Sequence, residues 1–132
     1  MIKRTLLIVS LLGLFIISVI FLYSLYLIRK DVKTACLKAK TAYQKDCVES
    51  LIQVIQSGES SYREKNTAVW ALGQIADKKA LPFLSILEAS LPKQERCTYD
   101  EFICTYEVQK AIKWCTQGNV TSWMYRNRES WK

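Results

Sequence analysis

Along its first thirty residues the chain has no alternation of polar and apolar positions. Thr5 to Ile28 (TLLIVSLLGLFIISVIFLYSLYLI) is a run of 24 uncharged residues. As a helix it is roughly 36 Å long at about 1.5 Å per residue, more than the roughly 30 Å hydrocarbon core of a bilayer. A helix apolar all round must be buried on every side, and a domain this small has no interior deep enough to do that. The run therefore predicts a transmembrane helix. Lys3 and Arg4 could begin a cleaved leader, but a leader's apolar core spans only about 7–15 residues. The run ends in Tyr26-Leu27-Ile28-Arg29-Lys30, without a small-x-small cleavage pattern. Tyr23 and Tyr26 followed by Arg29 and Lys30 read as an interfacial anchor and a stop.

After Lys30 the apolar spacing is that of amphipathic helices. Val32, Ala35, Cys36, Ala39, Ala42 and Tyr43 make one stripe on a helix that continues the apolar run. Asp46 stands three residues before Glu49, a capping box opening a helix with Val48, Leu51, Ile52 and Ile55, which Ser57-Gly58 ends. Ser61 and Glu64 offer a second box before Ala68, Val69, Leu72, Ile75 and Ala76. Asp77 caps a further helix carrying Leu81, Leu84, Leu87 and Leu91. Thr98 and Glu101 make a third box, opening a helix with Cys104, Val108, Ala111, Ile112 and Cys115 inward. No run alternates as a strand does. The expected fold is all-α. Its segments are a basic tail (1–4), a transmembrane helix (5–28), a basic juxtamembrane helix (29–45), a helical domain (46–118) and an aromatic and basic tail (119–132).

The helices repeat. Val48, Leu51 and Val54 match Leu81, Leu84 and Leu87 at an offset of 33, and Ala71-Leu72 matches Ala111-Ile112 at an offset of 40. Two helix pairs at this period predict an α-solenoid. The stretch Arg63 to Leu84 (REKNTAVWALGQIADKKALPFL) carries an Arg at the helix start, an Ala-Leu-Gly-x-Ile ending and an Asp-x-x-Ala-Leu-Pro-x-Leu opening of the next pair. It resembles the short HEAT-like repeats of phycobilisome lyases, a type found in many prokaryotic proteins. The match covers Val48 to Leu87 and weakens from Glu88 onward, where Lys113 replaces Gly73 and nothing replaces Arg63. That second copy reads as a degenerate terminal cap. The resemblance implies a protein-interaction scaffold in a bacterial inner membrane and transfers no catalytic residue. Independently of it, Ala68, Ala71 and Gly73 keep one helix face small enough for a neighbour to approach closely.

Charge changes the picture through its position. The formal net charge is +7. Arg29, Lys30, Lys33, Lys38, Lys40 and Lys45 follow the apolar run against Asp31 alone, while acids and bases balance from Asp46 to Lys132. The surplus lies where anionic headgroups would attract it, and no basic stripe interleaved with stacking aromatics marks a nucleic-acid binder. The five cysteines show no close-pair spacing and the chain has no histidine, which argues against zinc and excludes a Cys–His nucleophile pair. Cys104 and Cys115 cannot bond to each other within one helix, nor can Cys36 and Cys47 if theirs is continuous. A cross-helix disulfide remains open, for example Cys47 with Cys115, and so does burial of Cys104 and Cys115 as small apolar side chains. Glu49, Glu64, Glu101, Asp46 and Asp77 are explained as caps. Asp100, Glu101 and Glu107 read as a solvated face, and Asn119-Val120-Thr121 is too short a glycosylation match to carry a role.

These residues point to a single-pass membrane protein without cofactor or metal, which contacts the bilayer through 5–28 and binds another protein. The expected binding surface is Tyr62, Arg63, Asn66 and Trp70. A subunit working through its anchor, or a cysteine-based redox protein, is the alternative. Two rules divide on sidedness. The basic flank after the span favours a cytoplasmic domain. The very short basic N-terminus and the five cysteines favour an exported one, which is the side preferred here.

Overall fold

The structure, a computed structural model, describes residues 2–92 and 96–131. Five α-helices follow in order: α1 (Ile2–Tyr43), α2 (Cys47–Gln56), α3 (Tyr62–Ile75), α4 (Leu81–Ser90) and α5 (Thr105–Gln117). No strand occurs among the described residues. The chain divides into two compact units, Met1–Asp31 and Val32–Lys132.

The first unit is the N-terminal part of α1. It is long and apolar enough to cross a membrane, and none of its most apolar stretch is buried. Two of its serines satisfy themselves: Ser18 and Ser24 donate to the carbonyls of Leu14 and Ile20, at 2.8 and 2.9 Å. In hydrocarbon that is what a hydroxyl without an external partner must do.

The second unit begins with the last turns of α1. Val32, Cys36 and Ala39 are buried at spacings of four and three, as the stripe predicts, while Ala42 is exposed. The helix stops at Tyr43, and Gln44 takes a left-handed conformation (φ 53°) that turns the chain back. That turn overturns the exclusion of a Cys36–Cys47 bond, which held only for a continuous helix. The two Cα atoms come within 5.2 Å and the cysteines are bonded. A Cys47–Cys115 bridge is thereby ruled out, since Cys115 is a buried free thiol.

Helices α2 to α5 run up and down, so their connections gather at two ends. Asp46 caps α2 by accepting from the Glu49 N–H at 2.8 Å. At the start of α3, Ser61 and Glu64 form the full reciprocal box. Asp77 caps the short 3-10 turn Lys78–Ala80, and α4 follows with Pro82 in its first turn. α3 is the centre, packed on α2 and on α5, with α4 against α5. At the α3–α5 crossing the two helices approach closely. A Cβ built on Gly73 would lie 3.0 Å from the Ala111 Cα and 3.0 Å from Trp114 Cε3, so the small face expected from the sequence is used there.

The expected Thr98–Glu101 box is not a helix start. Glu101 N–H bonds the Thr98 carbonyl in a turn, and α5 begins only at Thr105, with Cys104 as its N-cap residue. Cys104 is bonded to Cys97 instead, closing a loop that capping geometry cannot span.

Candidate interaction surface

Of the four residues expected to form a surface, Tyr62 and Arg63 are exposed, Trp70 is half-buried and Asn66 is buried. Asn66 is 3% exposed. Its amide donates to the carbonyls of Tyr99 and Phe102, at 3.0 and 2.8 Å, and its oxygen accepts from the Cys104 N–H at 2.8 Å. Asn66 is therefore corrected from a binding residue to the internal pin of the loop Cys97–Cys104. The bond to Cys104 also supplies a cap that α5 lacks from its own sequence.

Arg63 lies one turn earlier on α3 and stays exposed. Its guanidinium grips Asp100 at the loop tip with two bonds of 2.8 and 3.0 Å. The pairing holds the Asp100 carboxyl below its ordinary range, chiefly through the hydrogen bond, and lifts the guanidinium correspondingly. Tyr62 is exposed, with Lys65 Nζ 5.6 Å from its ring centroid, and Trp70 is half-buried between the positions of Asn66 and Gly73. The surface that remains joins Tyr62 and Arg63 to Tyr99 and Asp100 of the disulfide-closed loop. Sequence reasoning missed the loop half, although Cys97 and Cys104 seven residues apart were a usable signal.

Beside it, the Tyr99 hydroxyl donates to Glu107 at 3.2 Å, and Lys110 reaches both the Glu107 carboxylate (3.8 Å) and the Trp114 ring (4.7 Å). Burial, then the Glu107 charge, raises the Tyr99 pKa, so this hydroxyl is held as a donor. Glu107 is buried, not part of the expected solvated face, because α5 turns it toward the loop. At the start of α3, Glu64 accepts from Lys38 at 2.6 Å and from Ser61 N–H at 3.0 Å. Those bonds, Lys38's first, pull its pKa down to about 2.

Comparison of the chain with known protein families, with curated proteins and with solved structures finds no match. The geometry has to speak alone. The Cys115 thiol touches the Leu72 carbonyl at 3.7 Å, and burial, with the Asp77 charge second, raises its pKa to about 11. At neutral pH it is a thiol, not a nucleophile. Among the described residues no three Cys, Asp or Glu side chains converge as a metal site requires.

The other end of the unit is built differently. Three acids tie three chain corners together. Asp46, at the α1–α2 corner, meets Lys79 of the 3-10 turn at 3.8 Å. Asp77 pairs with Arg128, and Glu129 accepts from the Cys47 N–H (3.4 Å) and faces Lys40 (3.7 Å). Tyr125 is fully buried, and the Thr121 hydroxyl donates to the side-chain amide oxygen of buried Gln74 at 2.8 Å. The C-terminal residues are thus packed as part of the unit. A cleft of about 390 Å³ opens beside them, lined by residues that include Asp77, Lys78, Ser122, Arg126 and Arg128.

Proposed function

We propose that the chain is a single-pass membrane protein whose helical unit binds another protein. One observation carries this: a long helix whose most apolar stretch is unburied belongs to the same chain as a small cross-linked unit that presents ion-paired and aromatic surface instead of a nucleophile or metal set. The helix pairs α2/α3 and α4/α5 are read as two HEAT-like repeats, of 10 and 14 residues followed by 10 and 13. Packing of the second helix of each pair, α3 on α5, supports that reading. The binding face is Tyr62, Arg63, Tyr99 and Asp100. Two disulfides are in keeping with an oxidising compartment, which supports reading the unit as lying outside the cytoplasm.

Exchanging Thr5–Ile28 for an unrelated apolar span tests the reading. The partner captured from membranes by the exchanged chain is expected to match that of the original. Loss of capture would mean that the span itself is the working part, as in an accessory subunit. Sidedness is read by reducing intact cells and adding a membrane-impermeant maleimide. Labelling of Cys97 before lysis is expected, and labelling only after lysis would place the unit in the cytoplasm.

A further inference from the structure

At the end of the unit where α1 meets α2, α3 meets α4, and the C-terminal residues pack, every acid of the three ties is already engaged. The cations are not all consumed. Lys45, Lys78 and Arg126 are exposed and have no ion-pair partner among the described residues, opposed at that end only by exposed Glu49 in the first turn of α2. Lys78 and Arg126 line the same open cleft, together with Ser122. Trp123, the next residue, is 60% exposed, and Val120 is 89% exposed. Large apolar side chains left in water beside unspent charge of one sign are a recognition pattern. They do not help the fold.

We infer that this end is a second docking face, for an acidic protein segment that carries apolar side chains: carboxylates meet Lys45, Lys78 and Arg126 while an aliphatic side chain lies on Trp123 and Val120. The inference rests on the interaction-module reading and names a partner chemistry for it. A protein segment is favoured over a polynucleotide or a lipid surface because two of the five groups are apolar. Carboxylates and aliphatic side chains on one segment match all five groups at once, whereas a base could stack on Trp123 but not on the aliphatic Val120, and binding to anionic lipid is an outcome of the test.

The test uses the full chain in phosphatidylcholine nanodiscs and a short labelled peptide alternating Glu and Leu, with Gln/Leu and Lys/Leu peptides as controls. The Glu/Leu peptide is expected to bind in preference to both. The double charge reversal Lys78→Glu with Arg126→Glu is expected to weaken it about tenfold or more, mainly by slowing association, and to flatten the remaining loss of affinity with salt. Trp123→Ala is expected to weaken it without altering the salt dependence. Both reversed positions are exposed, and an unchanged circular-dichroism melt shows that the fold is intact; Lys45→Glu is the substitute if it is not. Equal binding of the three peptides, no binding by any, or an unaffected double reversal overturns this face. So does competition by an oligothymidylate or by phosphatidylglycerol vesicles as strong as by the unlabelled peptide. Binding that survives the double reversal but is abolished by Tyr62→Ala with Arg63→Ala leaves the interaction reading standing and removes only this face.

Discussion

The two helix pairs have nearly the same lengths and are held in place by different means. The pair α2/α3 carries its own punctuation: Asp46 caps α2, a five-residue connection follows, and Ser61 with Glu64 caps α3. The pair α4/α5 has a fourteen-residue connection and no side-chain cap on either helix. Its order is borrowed. Asn66 and Arg63, both on α3, hold the loop, and the Cys97–Cys104 bond closes it. Burial differs in the same sense: α3 buries eight residues and α4 only Leu84, leaving Ile86 72% exposed. The first pair is a template. The second is assembled on it.

The sharpest way to break this comparison is Asn66→Ala. It leaves the Cys104 N–H and two carbonyls without the amide that pairs them, and about 2–4 kcal/mol of stability is expected to go, measured by urea unfolding followed by circular dichroism. Ser61→Ala in the first pair is expected to lose only about 1 kcal/mol. Equal losses would end the claim that one pair leans on the other.

Replacing both Cys97 and Cys104 by Ser comes next, at about 2 kcal/mol for so short a loop. Hydrogen exchange should rise in the first turn of α5 and stay unchanged in α2 and α3. A uniform rise across all four helices would contradict a local role. Gly73→Ala follows, with a net cost of about 1 kcal/mol: overpacking against Ala111 and Trp114 outweighs the gain in helix propensity. Gly58→Ala, where a Cβ meets nothing within 4 Å, should be close to neutral, and the difference between the two melts checks the tightness of the seam.

The smallest effect concerns acid. The Glu64 carboxyl is held at about 2, below its ordinary 4.5, so its folded-state pKa is depressed. Its contribution is complete above the ordinary value and is lost as pH falls from about 4.5 through about 2. Because both partners are largely in water, it amounts to only about 0.5 kcal/mol. Glu64→Gln should flatten that part of the stability-versus-pH curve and leave the neutral plateau nearly unchanged. A curve identical to that of the parent chain would mean that Lys38 and Ser61 do not hold the carboxyl in solution.

The helices were legible because burial on one side repeats every three or four residues, a rule that α2 and α3 follow directly, while the apolar run was legible from its length and lack of charge instead. The site was less so. Asn66 looks like a surface residue in a polar stretch, Arg63-Glu64-Lys65-Asn66-Thr67, and only the return of the chain 33 to 38 residues later supplies the carbonyls and N–H that bury it. The Thr98 and Glu101 pattern is locally indistinguishable from a capping box, since a covalent loop leaves no periodicity to read. Cys36 and Cys47 were separated by an assumption of continuity that one left-handed Gln44 removes, and glutamine gives no warning of it. Local signals fix local structure, and each of these misses is a non-local contact.

The three-acid tie has a consequence in time. Glu129 lies 89 residues beyond Lys40 and 82 beyond Cys47, the two groups it joins, and Arg128 lies 51 beyond Asp77. A chain made from its N-terminus can form α1, α2 and α3, with their caps, long before that corner can close. The apolar side chains that Tyr125 and its neighbours cover then stay open to water for the whole interval. Long closures of this kind are slow, and such partly formed units aggregate readily. Removing residues 119–131 should therefore lower the yield of folded chain during synthesis more than it lowers the stability of chains that have already folded.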